Sequence, residues 1–182
     1  NRDETLRQGR ELFIRLGLHS ARPTLLVVMP FSDILFDSLD SYELAEFFKT
    51  IHSVRMRVPG LQVLFKFRTS RHIDLIREYI RELFNTDYAI AGDEDIFALL
   101  TASTAAVCNN STAIYQVLLA RKPLVLHPWR AFDSYHAKVY ELAAPLAYTA
   151  SEAVENLSRI FTDTVYREGL LACQKRFLEG YS

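Results

Sequence analysis

The chain has 182 residues, of which 49% are apolar and 24% are charged, and its formal net charge is −1 at pH 7. This balance is ordinary for a globular protein and gives no electrostatic case for nucleic acid as a partner. No apolar run approaches the ~20 residues that span a bilayer, and Cys108 and Cys173 fit no disulfide or metal spacing. We therefore expect a protein of a reducing compartment, the cytoplasm.

The first half of the chain alternates between helix and strand patterns. Residues 1–16 are charged with apolar residues at helical spacing, which predicts a lead-in helix that ends at Gly17. A long loop, 31–41, follows the first strand, and loops of this length are uncommon without a functional role. The predicted strands are 24–29, 61–67 and 88–91, and the predicted helices after the lead-in are 42–57, 74–84 and 96–102.

The stretch 105–129 is the most informative part of the sequence. The small apolar residues 105–108 predict a strand that is covered on both faces. The polar residues 109–112 then supply N-cap candidates for an amphipathic helix, which Pro123 terminates before the apolar strand 124–126. A strand, a helix and a second strand in so few residues form a βαβ unit, whose crossover implies parallel pairing.

The remaining residues continue the alternation to the end of the chain. They predict a helix at 134–142, a short sixth strand at 144–148, and helices at 151–161 and 165–181. The whole pattern predicts an α/β, doubly wound, Rossmann-like parallel sheet of about six strands with helices on both faces. No linker divides the chain, so residues 1–182 are expected to form a single domain with a core at 23–161 and a C-terminal helix at 165–182.

A phosphate site is predicted where the loops after the strands share one edge of the sheet, since ligands bind there in open α/β sheets. The turn 109–112 leaves a helix N-terminus at this edge, with hydroxyl donors at Ser111 and Thr112 and no acidic side chain to repel an anion. Lys66 and Arg68 add positive charge after the second strand. The alternative interpretation is that the turn only caps a helix and that the basic residues are solvated.

Other polar residues near strand ends have functional and structural interpretations. Asp93 and Asp95 after Gly92 match an acidic pair that holds a metal in some sugar transferases, but at a helix start a capping role is favoured. His127 is a candidate ligand contact or base, or a structural histidine, and Trp129 lies against a ligand ring or covers the sheet edge. No standard metal spacing or glycine-rich nucleotide motif is present.

Three short stretches carry a resemblance to a known family. They are the strand exit Lys66-Phe67-Arg68, the run DIFALLTASTAAVCNNSTA at 95–113, and the strand opening RKPLVL at 121–126. With these stretches, the region 24–161 resembles the C-terminal, nucleotide-sugar-binding half of a GT-B fold glycosyltransferase. It is most similar in kind to bacterial capsule, lipopolysaccharide and teichoic-acid enzymes, including the CDP-glycerol glycerophosphotransferases.

The resemblance implies two groups of site residues. Those that grip the donor diphosphate are Asn110, Ser111, Thr112, Lys66 and Arg68. Those that contact the nucleotide or sugar are Gly92, Asp93, His127 and Trp129. No catalytic residue is assigned, because the paired glutamates of many retaining GT-B enzymes are missing here, where Gln116 and Arg121 stand instead. In inverting members of the family the base commonly comes from the other half of the enzyme.

The expected function is therefore donor binding in a glycosyltransferase of bacterial surface polysaccharide synthesis. The donor is a UDP-, GDP-, CDP- or CMP-linked sugar, and no cofactor or metal is expected. The partner is an N-terminal acceptor-binding domain outside this chain, without which the chain is expected to be inactive. The full-length protein is expected to associate peripherally with the inner face of the cytoplasmic membrane. The alternatives are a nucleotide-sugar 2-epimerase and a non-catalytic scaffold whose final helix docks a partner.

Overall fold

Five parallel strands form the sheet of the computed structural model, which describes residues 2–29, 41–67, 73–109, 112–128 and 134–180. The strands are β1 (Thr24–Val28), β2 (Gln62–Lys66), β3 (Tyr88–Ala91), β4 (Ala105–Cys108) and β5 (Leu124–Leu126). Their order across the sheet is β3-β2-β1-β4-β5. All residues of β1, β2, β4 and β5 are buried, which agrees with their continuous apolar runs.

Helices cover both faces of this sheet. Within the described ranges they are α1 (Arg2–Arg15), α2 (Ser41–Arg57), α3 (Ile73–Phe84), α4 (Ile96–Ala102), α5 (Ala113–Leu119), α6 (Ser134–Glu141), α7 (Ala150–Thr162) and α8 (Thr164–Gly180). Helices α2, α3 and α7 pack into one hydrophobic core, and α1, α4, α5 and α6 pack into a second core on the opposite face. No helix of this described set is long and apolar enough to cross a membrane.

The strand order reverses between β1 and β4, which are paired neighbours in the sheet. From β1 the chain passes outward to β2 and then to β3, and the connecting helices α2 and α3 lie on one face of the sheet. It then returns to the centre, and builds β4 and β5 through α4 and α5 on the other face. This arrangement confirms the predicted doubly wound, Rossmann-like fold, and it places a topological switch point at the carboxyl ends of β1 and β4.

The predicted sixth strand is only a single bridge. Leu146 pairs in parallel with Leu126 of β5, and the backbone then leaves the sheet. The reason is local, because the N–H groups of Tyr148 and Thr149 both donate to the Glu152 carboxylate instead of to a strand. Thr149 in turn accepts a hydrogen bond from the Glu152 N–H, and this capping box starts α7.

The final helix lies against the rest of the molecule on its apolar side. Leu170 of α8 belongs to the core that contains α7, and Phe177 belongs to the core that contains α5. The apolar face of α8 is therefore partly covered, with Leu171 and Leu178 half-buried. Val165, at the start of α8, is the most exposed large apolar residue of the described chain, at 81%.

The lead-in helix α1 packs closely against α4. Gly9 is buried at the contact, where the backbone oxygen of Ala98 and the Cβ of Ala102 occupy the space that a side chain would need. The helix therefore forms part of the second core through Phe13.

A double ion pair joins three elements at the amino end of the sheet. Arg22 Nη1 lies 2.6 Å from Asp87 Oδ1, and Arg55 Nη2 lies 3.2 Å from Asp87 Oδ2. Hydrogen bonding to Arg22, and then to Arg55, lowers the pKa of Asp87. Arg55 also donates to the backbone oxygen of Phe84, so the two arginines fix the turn that leads into β3.

Replacing Asp87 by asparagine is expected to reduce the dependence of stability on pH. The pKa of Asp87 is lower in the folded than in the unfolded protein. The ionised carboxylate therefore stabilises the fold fully above about pH 3.9, the pKa of an aspartate in an unfolded chain, and this stabilisation is lost as the pH falls through the lower pKa of the folded protein. Because the side chain of Asp87 is one-third exposed, the substitution is expected to lower the free energy of unfolding at pH 7 by only about 1 kcal/mol. Urea unfolding at pH 7 and pH 3 measures the free energy of unfolding of both chains. If wild type and variant differ by the same amount at both pH values, the prediction is contradicted.

Candidate functional site

A cleft of about 570 Å³ lies at the carboxyl edge of the sheet, on the face that α4 and α5 cover. It is lined by Lys66, Gly92, Asp93, Glu94, Ile96, Thr112 and Gln116. We refer to it as the carboxyl-edge cleft. Its lining comes from the end of β2, the loop between β3 and α4, and the first turn of α5. Four of the nine residues predicted to form the site, Lys66, Gly92, Asp93 and Thr112, thus converge on one cavity.

Lys66 brings a buried amine to this cleft. It is the last residue of β2, where strand alternation turns its side chain away from the core of α2 and α3 that holds Phe65. Only 7% of Lys66 is exposed, and its Nζ donates to the backbone oxygens of Phe67 and Gly92. The lysine therefore fixes the exit of β3 and places a positive charge beside the cleft.

The acidic residues after Gly92 shape the loop before α4. Glu94 Oε2 accepts a hydrogen bond from the Gly92 N–H at 2.7 Å. Asp95 is the N-cap of α4, and its Oδ1 accepts from the Phe97 N–H at 2.6 Å. The capping interpretation is confirmed for Asp95, and within the described ranges no group of three histidine, cysteine or acidic residues is arranged to hold a metal ion. Asp93 lines the cleft beside Glu94.

The polar turn before α5 does not cap that helix through its described residues. Thr112 is the N-cap by position, yet its side chain makes no capping hydrogen bond and is exposed. Asn109 is only 1% exposed, and neither its Nδ2 nor its Oδ1 has a hydrogen-bond partner in the described part of the chain. Asn110 and Ser111 lie outside the described residues. Capping therefore does not explain why the described positions of this turn are polar.

His127 lies on the other face of the sheet from the cleft. It follows Leu126 of β5, and its ring is stacked on Phe47 of α2 with centroids 5.7 Å apart. Its Nδ1 is 2.7 Å from the Ala147 oxygen, an arrangement in which Nδ1–H donates and Nε2 can only accept in the neutral ring. Burial lowers the pKa of His127, against smaller opposing effects of Ala147 and Glu152. The ring is thus a neutral acceptor near pH 7, apart from the cleft.

Two further predicted positions and two positions that were missed complete the site. Arg68 and Trp129 lie outside the described residues. Gln116 lines the cleft and was not predicted, although it stands four residues after Thr112 and hence on the same side of α5. Asn109 was predicted only as a capping candidate. Its position directly after β4, where the strand order reverses, is the feature that could have indicated a place near the site.

Comparison with known proteins gives a likeness of fold. No protein-family model and no curated protein matches the chain. Among solved structures, it is similar to a UDP-GlcNAc 2-epimerase from Neisseria meningitidis bound to UDP-GlcNAc, with 12% identity, 95% of this chain and 47% of that chain covered, and a TM-score of 0.66. It is also similar to WaaG, a glycosyltransferase involved in lipopolysaccharide biosynthesis, with 10% identity, coverages of 96% and 46%, and a TM-score of 0.64.

A third neighbour is the pneumococcal O-GlcNAc transferase GtfA in complex with UDP and GlcNAc, with 11% identity, 86% of this chain and 32% of that chain covered, and a TM-score of 0.60. The chain spans about half the length, or less, of these three structures. Its fold is therefore the Rossmann-like α/β fold that occurs within GT-B glycosyltransferases and UDP-GlcNAc 2-epimerases.

Proposed function

We propose that the chain is the nucleotide-sugar-binding half of a glycosyltransferase and that its carboxyl-edge cleft holds the donor diphosphate. One observation carries this proposal. The buried lysine Lys66 and the hydroxyl of Thr112, which makes no capping hydrogen bond to its own helix, line the same cavity at the carboxyl edge. Ligands of open α/β sheets bind at this edge, near the switch point. The solved neighbours that are bound to UDP or UDP-GlcNAc support the choice of ligand.

The chemistry of the cleft suits both parts of a nucleotide sugar. The positive charge of Lys66 stabilises phosphate oxygens, and the hydroxyl of Thr112 and the amide of Gln116 supply donors at the first turn of α5. The Asp93 carboxylate is an acceptor for sugar or ribose hydroxyls. Asn110, Ser111 and Arg68 are assigned from the sequence to the same diphosphate site, and Trp129 to the nucleotide or sugar contacts, whereas His127 on the opposite face of the sheet is left out of the proposed site.

In the proposed reaction an acceptor hydroxyl attacks the donor carbon or phosphorus. The bond to the leaving nucleotide phosphate breaks, and negative charge grows on that phosphate. Lys66 and Thr112 lower the barrier by stabilising this charge. The proton of the acceptor hydroxyl passes to a base that the other half of the enzyme supplies.

The wider setting follows from the same proposal. The complete enzyme has an N-terminal acceptor-binding domain and acts in bacterial surface polysaccharide synthesis in the cytoplasm, at the inner face of the membrane. The donor is a UDP-, GDP-, CDP- or CMP-linked sugar, which carries its own leaving group, and in this proposal Lys66 and Thr112 stabilise the leaving phosphate in place of a cofactor or metal.

Thermal unfolding with UDP, CDP, CMP and GDP tests this proposal. One nucleotide is expected to raise the melting temperature by about 5–10 °C at a hundredfold excess over its Kd. Replacing Thr112 by alanine is expected to leave the unliganded melting temperature unchanged, because the side chain caps nothing, and to reduce the nucleotide-dependent shift.

Thr149→Ala is the matched control for Thr112→Ala. Thr149 is also an N-cap threonine, but it lies outside the cleft and does accept the Glu152 N–H. Its replacement is expected to cost about 1 kcal/mol of stability and to leave the nucleotide-dependent shift intact. If no nucleotide raises the melting temperature of the wild-type chain, a scaffold role replaces the proposal.

A further inference from the structure

The most exposed large apolar side chains gather at one end of the molecule. In the described part of the chain they are Val165 at 81%, Met56 at 69%, Ile14 at 68% and Leu119 at 63% exposed. Ile14, Met56 and Leu119 are each the last or the next-to-last residue of a helix, α1, α2 and α5. Each of these helices leads into a strand of the parallel sheet, so it ends at the edge where the strands begin, the amino edge.

Contacts within the chain place the ends of α1 and α7 at this same edge. Shortly after α1, the N–H of His19 donates to the side chain of Gln62, the first residue of β2. Helix α7 begins just after the bridge to the end of β5 and runs back along α2, where its Glu155 pairs with Arg57, the last residue of α2. Val165 follows the end of α7 by three residues. Single exposed apolar residues need no explanation, whereas several at one end of a molecule indicate an interaction surface.

Arginines accompany these apolar side chains. Each of the four has an arginine one or two positions further along the chain: Arg15, Arg57, Arg121 and Arg167. Arg15 and Arg121 are exposed, as is Arg81 in the last turn of α3, and none of these three has an ion-pair partner among the residues that the structure describes. Three acids of this edge are themselves paired with other arginines: Asp87, Glu155 and Asp163. The amino edge therefore offers unpaired positive charge, although the net charge of the chain is −1.

Exposed aliphatic side chains beside unpaired arginines suit the surface of an anionic bilayer. The aliphatic groups leave water for the boundary between headgroups and acyl chains, and the arginines pair with lipid phosphates. Stabilisation of helix dipoles explains arginines at helix ends, but not the apolar side chains next to them. The apolar side chains come from four helices on both faces of the sheet, so a partner that contacts all of them must be broad and flat. A bilayer meets this requirement, whereas a peptide bound in a groove does not.

We infer that the amino edge binds the surface of a bilayer that contains anionic phospholipids. The four apolar side chains enter the headgroup region, and the three unpaired arginines contact lipid phosphates. The inference rests on the proposed function in one respect. In that proposal the donor cleft and the acceptor-binding domain occupy the carboxyl edge, which leaves the amino edge free to face the membrane. The proposed membrane location thereby has a surface on this chain.

The test is sedimentation of the full chain with phosphatidylcholine vesicles that contain or lack phosphatidylglycerol. Wild type is expected to bind the vesicles with phosphatidylglycerol more tightly, and to lose affinity for them as salt is raised. The double variant Met56→Gln/Leu119→Gln is expected to bind them at least about tenfold more weakly. Because both side chains are exposed, its melting temperature is expected to stay close to that of wild type.

Tyr115→Gln/Tyr148→Gln is the matched control. It replaces two half-exposed aromatic side chains, one in the first turn of α5 and one just before α7, both at the carboxyl edge. This variant is expected to bind vesicles as wild type does. Calorimetric titration with nucleotide separates this inference from the proposed function, because Met56→Gln/Leu119→Gln is expected to leave nucleotide affinity unchanged.

Three results with vesicles would overturn the inference. They are no binding of wild type to vesicles that contain phosphatidylglycerol, equal binding to phosphatidylcholine alone, and equal binding by the two double variants. Sedimentation velocity of the chain without lipid gives a second readout. A dimer that Met56→Gln/Leu119→Gln dissociates would assign the amino edge to a second copy of the chain instead of a bilayer, and would likewise overturn the inference.

Discussion

Replacing Gly9 by alanine is expected to lower the free energy of unfolding by about 2–3 kcal/mol, which corresponds to roughly 5–10 °C in melting temperature. A Cβ at this position would overlap the backbone oxygen of Ala98 and lie 3.1 Å from the Cβ of Ala102. Neither atom belongs to a flexible side chain, so the two helices must separate to make room. Urea and thermal unfolding measure the loss.

Gly169→Ala is the matched control for this prediction. Gly169 is inside α8, and a Cβ there would meet nothing within 4 Å. Because alanine favours a helix interior over glycine, the variant is expected to gain about 0.5–1 kcal/mol. The two substitutions should thus shift stability in opposite directions. A gain in both would mean that α1 does not pack against α4 in the way described.

Replacing Lys66 by glutamine is expected to weaken nucleotide diphosphate binding by at least about tenfold. Glutamine keeps an N–H donor for the Gly92 oxygen but removes the positive charge beside the cleft. A hydrogen bond to a charged group contributes about 1.5–3 kcal/mol, and 1.4 kcal/mol corresponds to a tenfold change in Kd. Calorimetric titration of wild type and variant measures the change.

Lys49→Gln provides the control, because Lys49 is an exposed lysine of α2 that pairs with Glu46 outside the carboxyl-edge cleft. Its replacement makes the same change in net charge and is expected to leave the affinity for nucleotide unchanged. If the Lys66→Gln variant is folded and binds nucleotide as tightly as wild type does, Lys66 is not part of the donor site.

The sequence was sufficient to predict the fold, because the core strands are continuous apolar runs separated by helices with clear ends. The predicted sixth strand was wrong in extent for a reason that periodicity does not reveal. Its backbone donors are taken by Glu152, four residues after Tyr148. The packing of α1 on α4 was also unpredictable, since the glycine that permits it has no local signal.

The candidate site was partly predictable for a geometric reason. Carboxyl ends of parallel strands share one edge, so Lys66, Gly92 and Thr112 were expected together and lie together. His127 was expected with them but follows β5 on the α2 face, against Phe47. The sequence shows that successive side chains of a strand point to opposite faces of the sheet. It does not show on which face the cleft opens, because that depends on how α4 and α5 pack.

The most direct test of the central claim is calorimetric titration of this chain with UDP, CDP, CMP and GDP, with the Lys66→Gln chain alongside. The account predicts that one of the nucleotides binds wild type at a single site and binds the variant at least about tenfold more weakly. Absence of binding by all four, or equal binding to both chains, would contradict the assignment of the carboxyl-edge cleft as the donor site.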